Sequence, residues 1–145
     1  MPVNVRMFNS SRLSKPSFHW STACEVTNPT RMVFTAGQGA RDETGTMVGK
    51  GDCGAQVKQG FKNMGVVLAE RGMDFSNVVR FTVYLVNADD IPAFTTAREE
   101  VYEEIYPEGQ YPPTTLVVVS RLRPPDLLFE FDAIAVSYSS GHASD

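Results

Sequence analysis

The sequence predicts a single α+β domain in which two α-helices cover one face of a mixed β-sheet. The chain has 145 residues, which suits one domain with a substantial core. Two segments place apolar residues at helical spacing. The segments around them show patterns typical of strands, either alternating polar and apolar residues or short continuous apolar runs. The predicted order is therefore β-β-(β)-α-β-α-β-β. We assign one domain to residues 1–145, with a core at about 18–137 between a flexible N-terminal arm and a flexible C-terminal tail.

The first strands are predicted to form a hairpin. Residues 18–26 alternate between apolar and polar side chains, residues 27–30 ("TNPT") are typical of a turn, and residues 31–37 provide the returning strand. A glycine-rich stretch follows at residues 35–51. Its "TMVG" segment, residues 46–49, predicts a short third strand.

Both helices are indicated by a single apolar stripe. The first helix is predicted at residues 52–71, and Gly72 suits its C-terminal end. Its stripe consists of Val57, Phe61, Met64 and Leu68. The second helix begins near Pro92, after the capping candidates Asp89 and Asp90. Its stripe consists of Phe94, Ala97, Val101 and Ile105.

Residues 77–87, 114–120 and 127–137 are predicted to complete the sheet. One face of the first of these strands is expected to carry Val79, Phe81, Val83 and Leu85. Since each helix has one apolar face, both are expected on the same side of the sheet. The other side also carries apolar residues, so we expect further copies of the chain to cover it in a homo-oligomer.

Composition excludes several classes of function. The net charge of −4 disfavours nucleic acid or an anionic membrane as the main partner. The N-terminus lacks the apolar segment of a secretory signal, and no apolar run is long enough to cross a bilayer, so we expect a cytoplasmic protein. Two cysteines, Cys24 and Cys53, and two histidines, His19 and His142, are too few for a disulfide framework or a zinc site. We expect no metal and no cofactor.

The glycine-rich stretch "TAGQGARDETGTMVGKG" does not match a phosphate-binding loop. A P-loop requires Ser or Thr after its Gly-Lys pair, but Gly51 follows Lys50 here. A dinucleotide fingerprint requires a third glycine where this chain has Asp42. Gly37 and Gly39 instead indicate a close backbone approach at a strand end.

Several motifs in order resemble the RidA (YjgF) family of reactive-intermediate deaminases, over roughly residues 20–136. These are Ala36-Gly37-Gln38 at a strand end, Gln56 and Asn63 on the first helix, "VVRFTVYL" (78–85), and E-x-x-A-I-A from Glu130 to Ala135. The resemblance implies a chorismate-mutase-like fold, a homotrimer, and clefts at the subunit interfaces. It also implies hydrolysis of enamines and imines, such as 2-aminoacrylate, to keto acids and ammonia.

The resemblance further implies roles for individual residues. In the family, an arginine in a P-x-R-[ST] motif grips the substrate carboxylate, and a glutamate matched here by Glu130 positions or activates water. Thr114 stands in the place of that arginine, and threonine cannot form a bidentate, charge-assisted clamp. Ala36 replaces a common serine, and Trp20 corresponds to a common tyrosine. Deamination of the usual amino-acid-derived imines is therefore disfavoured.

The candidate catalytic residue is Glu130, a carboxylate in an otherwise apolar strand that is either functional or a paired structural acid. The other acid of this strand, Asp132, is interpreted as a rim or interface residue. Gly37 is expected to present backbone groups to a substrate. Thr114 and Thr115 are either hydroxyl donors to a ligand or simple strand formers.

Three further residues have a functional and a structural interpretation. Trp20 lines an apolar wall of the substrate site or belongs to the core. Arg121 and Arg80 either supply the missing cation or pair with surface acids. Both cysteines are interpreted as small buried apolar residues.

Two functions from different classes follow. One is an enzyme that hydrolyses or tautomerises an imine, an enamine or a related small molecule at a subunit-interface cleft. The other is a non-catalytic module that binds a small ligand or another protein. An endoribonuclease activity is also associated with the family, but the acidic charge and the absence of a histidine pair disfavour it.

Overall fold

The computed structural model describes residues 4–138, and it confirms an α+β domain with two helices and a mixed sheet. The elements are β1 (Val5–Phe8), β2 (Ala23–Val26), β3 (Arg31–Phe34), α1 (Cys53–Ala69), β4 (Val78–Leu85), α2 (Ile91–Ile105), β5 (Thr114–Val118) and β6 (Phe129–Ser137). Neither helix in this part of the chain is both long enough and apolar enough to cross a membrane. The predicted C-terminal tail lies, from residue 139 onward, outside the described residues.

Four strands form the main sheet in the order β3-β6-β4-β5. Strand β6 pairs antiparallel with β3 and with β4, whereas β4 and β5 are parallel. In this register Tyr84 of β4 lies opposite Glu130 of β6, and Phe81 lies opposite Thr114 of β5. Strand β5 is thus an edge of the sheet, with one side of its backbone unpaired by a strand.

The core lies between this sheet and the two helices, which pack on the same face as predicted. Four aromatic side chains form its centre, with ring centroids 4.6–5.9 Å apart for the pairs in contact: Phe61, Phe81, Phe129 and Phe131. Helix α1 comes close to the sheet at Gly60, where an added Cβ would lie 2.7 Å from Cε1 of Phe129. Asp52 caps α1 by accepting a hydrogen bond from the backbone N–H of Ala55.

The predicted hairpin between residues 18–26 and 31–37 is wrong. Strand β2 pairs with β1, an N-terminal strand that the sequence left outside the core, and β3 pairs with the distant β6. Alternating polarity indicates a strand but does not identify the strand that pairs with it. The predicted hairpin therefore rested only on the closeness of the two segments in sequence. The predicted third strand is reduced to one isolated bridge between Met47 and Arg41.

The expected face of β4 is also wrong at one position, Val79. Val78 lies opposite Ala135 and Arg80 opposite Ile134, so the ladder is irregular between them. An extra residue in one strand reverses which side its neighbours face. Val78 therefore joins the main core, whereas Val79 packs with Val5 and Val136. That second cluster holds the β1–β2 sheet against the outer face, which we define as the face of the main sheet away from the helices.

The outer face exposes large apolar side chains where β1 and β2 do not cover it. Phe34 is 68% exposed and Met32 is 48% exposed on β3. At the opposite edge, Val117 of β5 is exposed on this face as well. This agrees with the expectation of an apolar surface on the side of the sheet that carries no helix.

Candidate functional site

Glu130 lies in the middle of the outer face, with its carboxylate directly against Gly37. A Cβ placed on Gly37 would overlap this carboxylate and would lie 2.6 Å from its Cδ. The close approach arises because β3 separates from β6 after Phe34. Thr35 still donates its N–H to Ala133, and Gln38 pairs with Phe131, so residues 36 and 37 form a short detour beside Glu130.

The surroundings of Glu130 raise the pKa of its carboxyl above the ordinary value. Burial is the main cause, and the nearby charge of Asp132 adds to it. Asp132 accepts a hydrogen bond of 3.0 Å from the Tyr84 hydroxyl, which in turn raises the pKa of that phenol. The outer face therefore holds two acids of different character, one hydrogen-bonded and one with an increased tendency to carry a proton.

Two amide side chains of α1 bind the backbone of two loops, the one that precedes α1 and the one that precedes β6. Gln56 is buried; its Nε2 donates to the carbonyls of Gly49 and Asp126, and its Oε1 accepts from the N–H of Leu128, at 2.8–3.2 Å. Asn63 donates to the carbonyls of Gly39 and Arg41. The sequence analysis identified both residues as parts of family motifs but did not predict that they bind the backbone of the loops. Their spacing of seven residues indicates a shared role, since it places them on one side of α1.

The glycine-rich stretch is therefore a loop attached to α1 through its backbone carbonyls. Gly49, whose carbonyl accepts from Gln56, has a φ of 72°, a left-handed conformation that favours glycine. Asp42 caps the turn within this loop by accepting from the N–H groups of Thr44 and Thr46. These bonds hold the loop at Gly39 and Gly49 and order the turn that contains Gly45.

Thr114 and Thr115 face opposite sides of the sheet. Thr114 lies on the helix side, where its hydroxyl donates to the Pro112 carbonyl and interacts with the Tyr102 hydroxyl. Thr115 lies on the outer face and accepts a hydrogen bond of 3.0 Å from Arg80. Within one chain, Thr114 and Glu130 therefore lie on opposite faces of the sheet, because the alternation of β5 directs Thr114 away from the outer face.

The remaining candidates lie apart from Glu130. Arg121 is exposed, and its guanidinium donates to the carbonyls of Leu122 and Arg123 in its own loop. Trp20 is partly buried in a segment whose neighbours contact Tyr111: the His19 ring stacks on Tyr111 at 4.5 Å, and the Ser21 hydroxyl donates to its carbonyl.

The candidates thus form two groups within one chain. Glu130 and Gly37 meet on the outer face, and Thr115 lies on the same face beside Arg80. Thr114 and the segment of Trp20 meet near Tyr111, on the helix side of strand β5. The two groups can form one site only if different copies of the chain contribute them.

Neither cysteine is placed for nucleophilic chemistry. Burial, followed by the charges of Asp90 and Asp52, raises the pKa of the Cys53 thiol to about 12. Burial also raises the pKa of Cys24. Across residues 4–138, histidine, cysteine and acidic side chains nowhere gather in the groups of three or more that a metal ion requires.

Comparison with known proteins places this geometry in a family. A family sequence model described as Endoribonuclease L-PSP matches residues 12–137. A RutC family protein of Synechocystis is 40% identical over 105 residues, covering 72% of this chain and 77% of that protein. The human 2-iminobutanoate/2-iminopropanoate deaminase is 32% identical over 106 residues, covering 73% of both chains. A crystal structure of YyfB from Yersinia pestis, a protein of the Rid family, superimposes with a TM-score of 0.80 at 31% identity, covering 92% of this chain and 98% of that one.

Proposed function

The chain belongs to the RidA (YjgF) family, and from that membership we propose that it is a cytoplasmic, cofactor-independent hydrolase of a small imine or enamine. Membership also confirms the predicted chorismate-mutase-like fold. The observation that carries the proposal is the contact of Glu130 with Gly37, because a carboxyl with a raised pKa lies where no side chain obstructs the neighbouring backbone.

Glu130 has the chemistry that imine hydrolysis requires. Water must lose a proton as it attacks the C=N carbon, and the nitrogen must gain protons before it leaves as ammonia. The Glu130 carboxylate accepts the first proton, and the resulting carboxylic acid returns it to the nitrogen, which gives a carbinolamine. The carboxylate then accepts the proton of the carbinolamine hydroxyl and passes it to the nitrogen as the C–N bond breaks. The products are the ketone and ammonia, and Glu130 is regenerated. A raised pKa makes the protonated form easier to reach near neutral pH.

The proposed site lies between subunits of a homotrimer. Exposed apolar side chains on the outer face, chiefly Phe34 and Met32, support burial of that face against another copy. The separation of Glu130 from Thr114 within one chain also favours a shared site, since a neighbouring copy could supply the second group. Gly37, Thr114, Thr115, Trp20 and Arg121 remain the proposed substrate-binding residues.

The substrate is proposed to differ from that of family members with the P-x-R motif. Thr114 offers one neutral hydroxyl, which already donates to Pro112, in place of a guanidinium. Losing a charge-assisted partner from a partly desolvated site typically costs about 2–5 kcal/mol of binding. We therefore expect little acceleration of 2-aminoacrylate hydrolysis and a larger or less acidic natural substrate.

A turnover assay with Glu130→Gln tests the enzymatic proposal. The substrates are 2-aminoacrylate, released in situ by a PLP-dependent lyase, and a panel of neutral and anionic imines. Wild-type protein should accelerate at least one of them, and Glu130→Gln should remove the acceleration while the fold stays intact. The matched control is Glu43→Gln, which alters an exposed glutamate of the glycine-rich loop. Binding without turnover, equal in wild type and Glu130→Gln, would instead support the ligand-binding module.

A further inference from the structure

Arg98 is an arginine of helix α2 that lies outside the family motifs described above. Arg98 is only 5% exposed, although arginine is among the residues least often buried. It lies on α2 one turn from Phe94 and one turn from Tyr102, and its guanidinium is 5.4 and 5.3 Å from the centres of those two rings. The position is therefore built around a buried cation.

The hydrogen bonds of this guanidinium are incomplete. One Nη donates to the carboxylate of Glu99 at 2.9 Å, whereas the buried Nε–H has no partner. Glu99 is itself shared, because its other oxygen contacts His19. An unpaired N–H on a buried charged group is unfavourable, so its persistence indicates a place for a further acceptor.

Arg98 also lies close to the position where the family arginine is missing. The Tyr102 ring, which contacts Arg98, stacks on Tyr111 at 5.5 Å and interacts through its hydroxyl with Thr114. Tyr111 in turn carries the stacked ring of His19. Arg98, Tyr102 and Tyr111 thus form one continuous cluster that ends at Thr114.

We propose that Arg98 binds the anionic group of the substrate and so replaces the cation lost at Thr114. This inference rests on the proposed function and specifies its substrate as a carboxylate. Because Arg98 and Thr114 are separated by the Tyr102 side chain, the carboxylate is bound farther from the reacting carbon than in a 2-imino acid. The preferred substrates therefore carry the carboxylate several bonds away from the C=N group.

The segment that contains His19 and Trp20 is attached to the cluster around Arg98. His19 attaches this segment through its stack on Tyr111 and its contact with Glu99, and Ser21 adds one hydrogen bond to Tyr111. An incoming carboxylate competes with Glu99 for the guanidinium and so loosens the His19 contact. Trp20 is the single tryptophan of the chain, so its fluorescence reports this movement directly.

Binding of stable ketone analogues tests the inference. The probes are pyruvate, with its carboxylate next to the carbonyl, 4-oxopentanoate, with the carboxylate two carbons farther away, and the neutral ketone pentan-2-one. We expect 4-oxopentanoate to bind wild-type protein more tightly than pyruvate and to change Trp20 fluorescence, with no response to pentan-2-one. Arg98→Met should weaken 4-oxopentanoate binding at least about tenfold, and Arg98→Lys should weaken it less. Arg6→Met, at an exposed arginine of β1, serves as the matched control.

An NMR titration keeps the test decisive if Arg98→Met does not fold. The Nε–H resonance of Arg98 in wild-type protein should shift with 4-oxopentanoate and stay fixed with pentan-2-one. An unchanged resonance, equal affinity in a folded Arg98→Met variant, or tighter binding of pyruvate would each overturn the inference. The proposed hydrolysis fails separately, through turnover that survives in Glu130→Gln.

Discussion

The Glu130 carboxylate lies beside Gly37, in space that any other residue at position 37 would fill with its Cβ. Glycine leaves room there for the Glu130 side chain, whereas the backbone angles at position 37 do not demand glycine. The displaced group would be the end of a flexible side chain, which can rotate away. The residue at position 37 therefore affects the placement of the Glu130 carboxylate more than it affects the stability of the fold.

Gly37→Ala is accordingly expected to abolish turnover with little loss of stability. The added methyl group moves the Glu130 carboxylate out of its contact, and catalysis depends on such placement to within about 1 Å. Steady-state kinetics on the best substrate of the panel and a thermal unfolding curve measure the two effects. A variant that keeps full kcat/KM would show that this contact has no catalytic role.

Gly60→Ala should have the opposite outcome, a loss of stability. Its Cβ would lie 2.7 Å from Phe129 Cε1 and 3.5 Å from Phe131 Cε1, both in the packed core. Overpacking of this kind typically costs about 1–3 kcal/mol. Urea denaturation measures the change, and a midpoint equal to that of wild type would mean that the helix–sheet spacing adjusts freely.

Glu130→Gln should change the pH dependence of stability. A raised pKa in the folded state means that the protonated carboxyl is favoured on folding, so its contribution is present below the ordinary glutamate pKa of about 4.3 and is lost as pH rises through the folded pKa. Glutamine avoids this loss. Relative to wild type, the variant should gain stability from pH 4 to pH 7, as measured by unfolding midpoints. A gain that instead grew toward low pH would indicate a lowered pKa.

Gln56→Leu should destabilise the protein by about 2–4 kcal/mol, because it leaves two carbonyls and one N–H without their buried partner. The control is Gln110→Leu, at an exposed position where changes of about ±0.5 kcal/mol are usual. Chemical denaturation compares both with wild type. Equal losses in the two variants would contradict the role assigned to Gln56.

Light scattering and sedimentation should show a homotrimer that Phe34→Arg dissociates. Phe34 is 68% exposed in the single chain, so a charge there leaves the core intact but is costly at an apolar interface. Val66→Arg is the matched control, because Val66 is 57% exposed on α1, on the opposite side of the domain. A stable wild-type monomer at micromolar concentration would refute the trimer.

Sequence patterns predicted the elements of this fold far better than their partners. The helical stripes of α1 and α2 were found because they are local repeats, and Gly72 was identified as the stop of α1, where its φ is 67°. The pairing of β2 with β1 was missed because a strand's partner is set by packing elsewhere in the chain. The bulge at Val79 was missed because uninterrupted alternation gives no sign of an extra residue.

The candidate site was predicted in part. The motifs single out Gly37 and Glu130 separately, and the apolar strand marks Glu130 as an unusual acid. Only the structure shows that the two residues are in contact and that burial raises the pKa of Glu130. Thr114 faces the side of the sheet opposite to Glu130, and this depends on the register of β5, which no motif reveals. Arg98 was overlooked because an arginine within an amphipathic helix is usually a surface residue, and only its two ring contacts show otherwise.

The strand order β3-β6-β4-β5 has a consequence for how the chain is made. Strand β6 lies in the interior of the sheet between β3 and β4, yet it is synthesised after both of them and after β5. Until residues 129–137 leave the ribosome, β3 lacks its neighbour, β4 has an open edge, and the aromatic core lacks Phe129 and Phe131. A ribosome-bound chain arrested before residue 129 should therefore remain sensitive to proteases and dependent on chaperones, and the sheet should form in one late step when its central strand arrives.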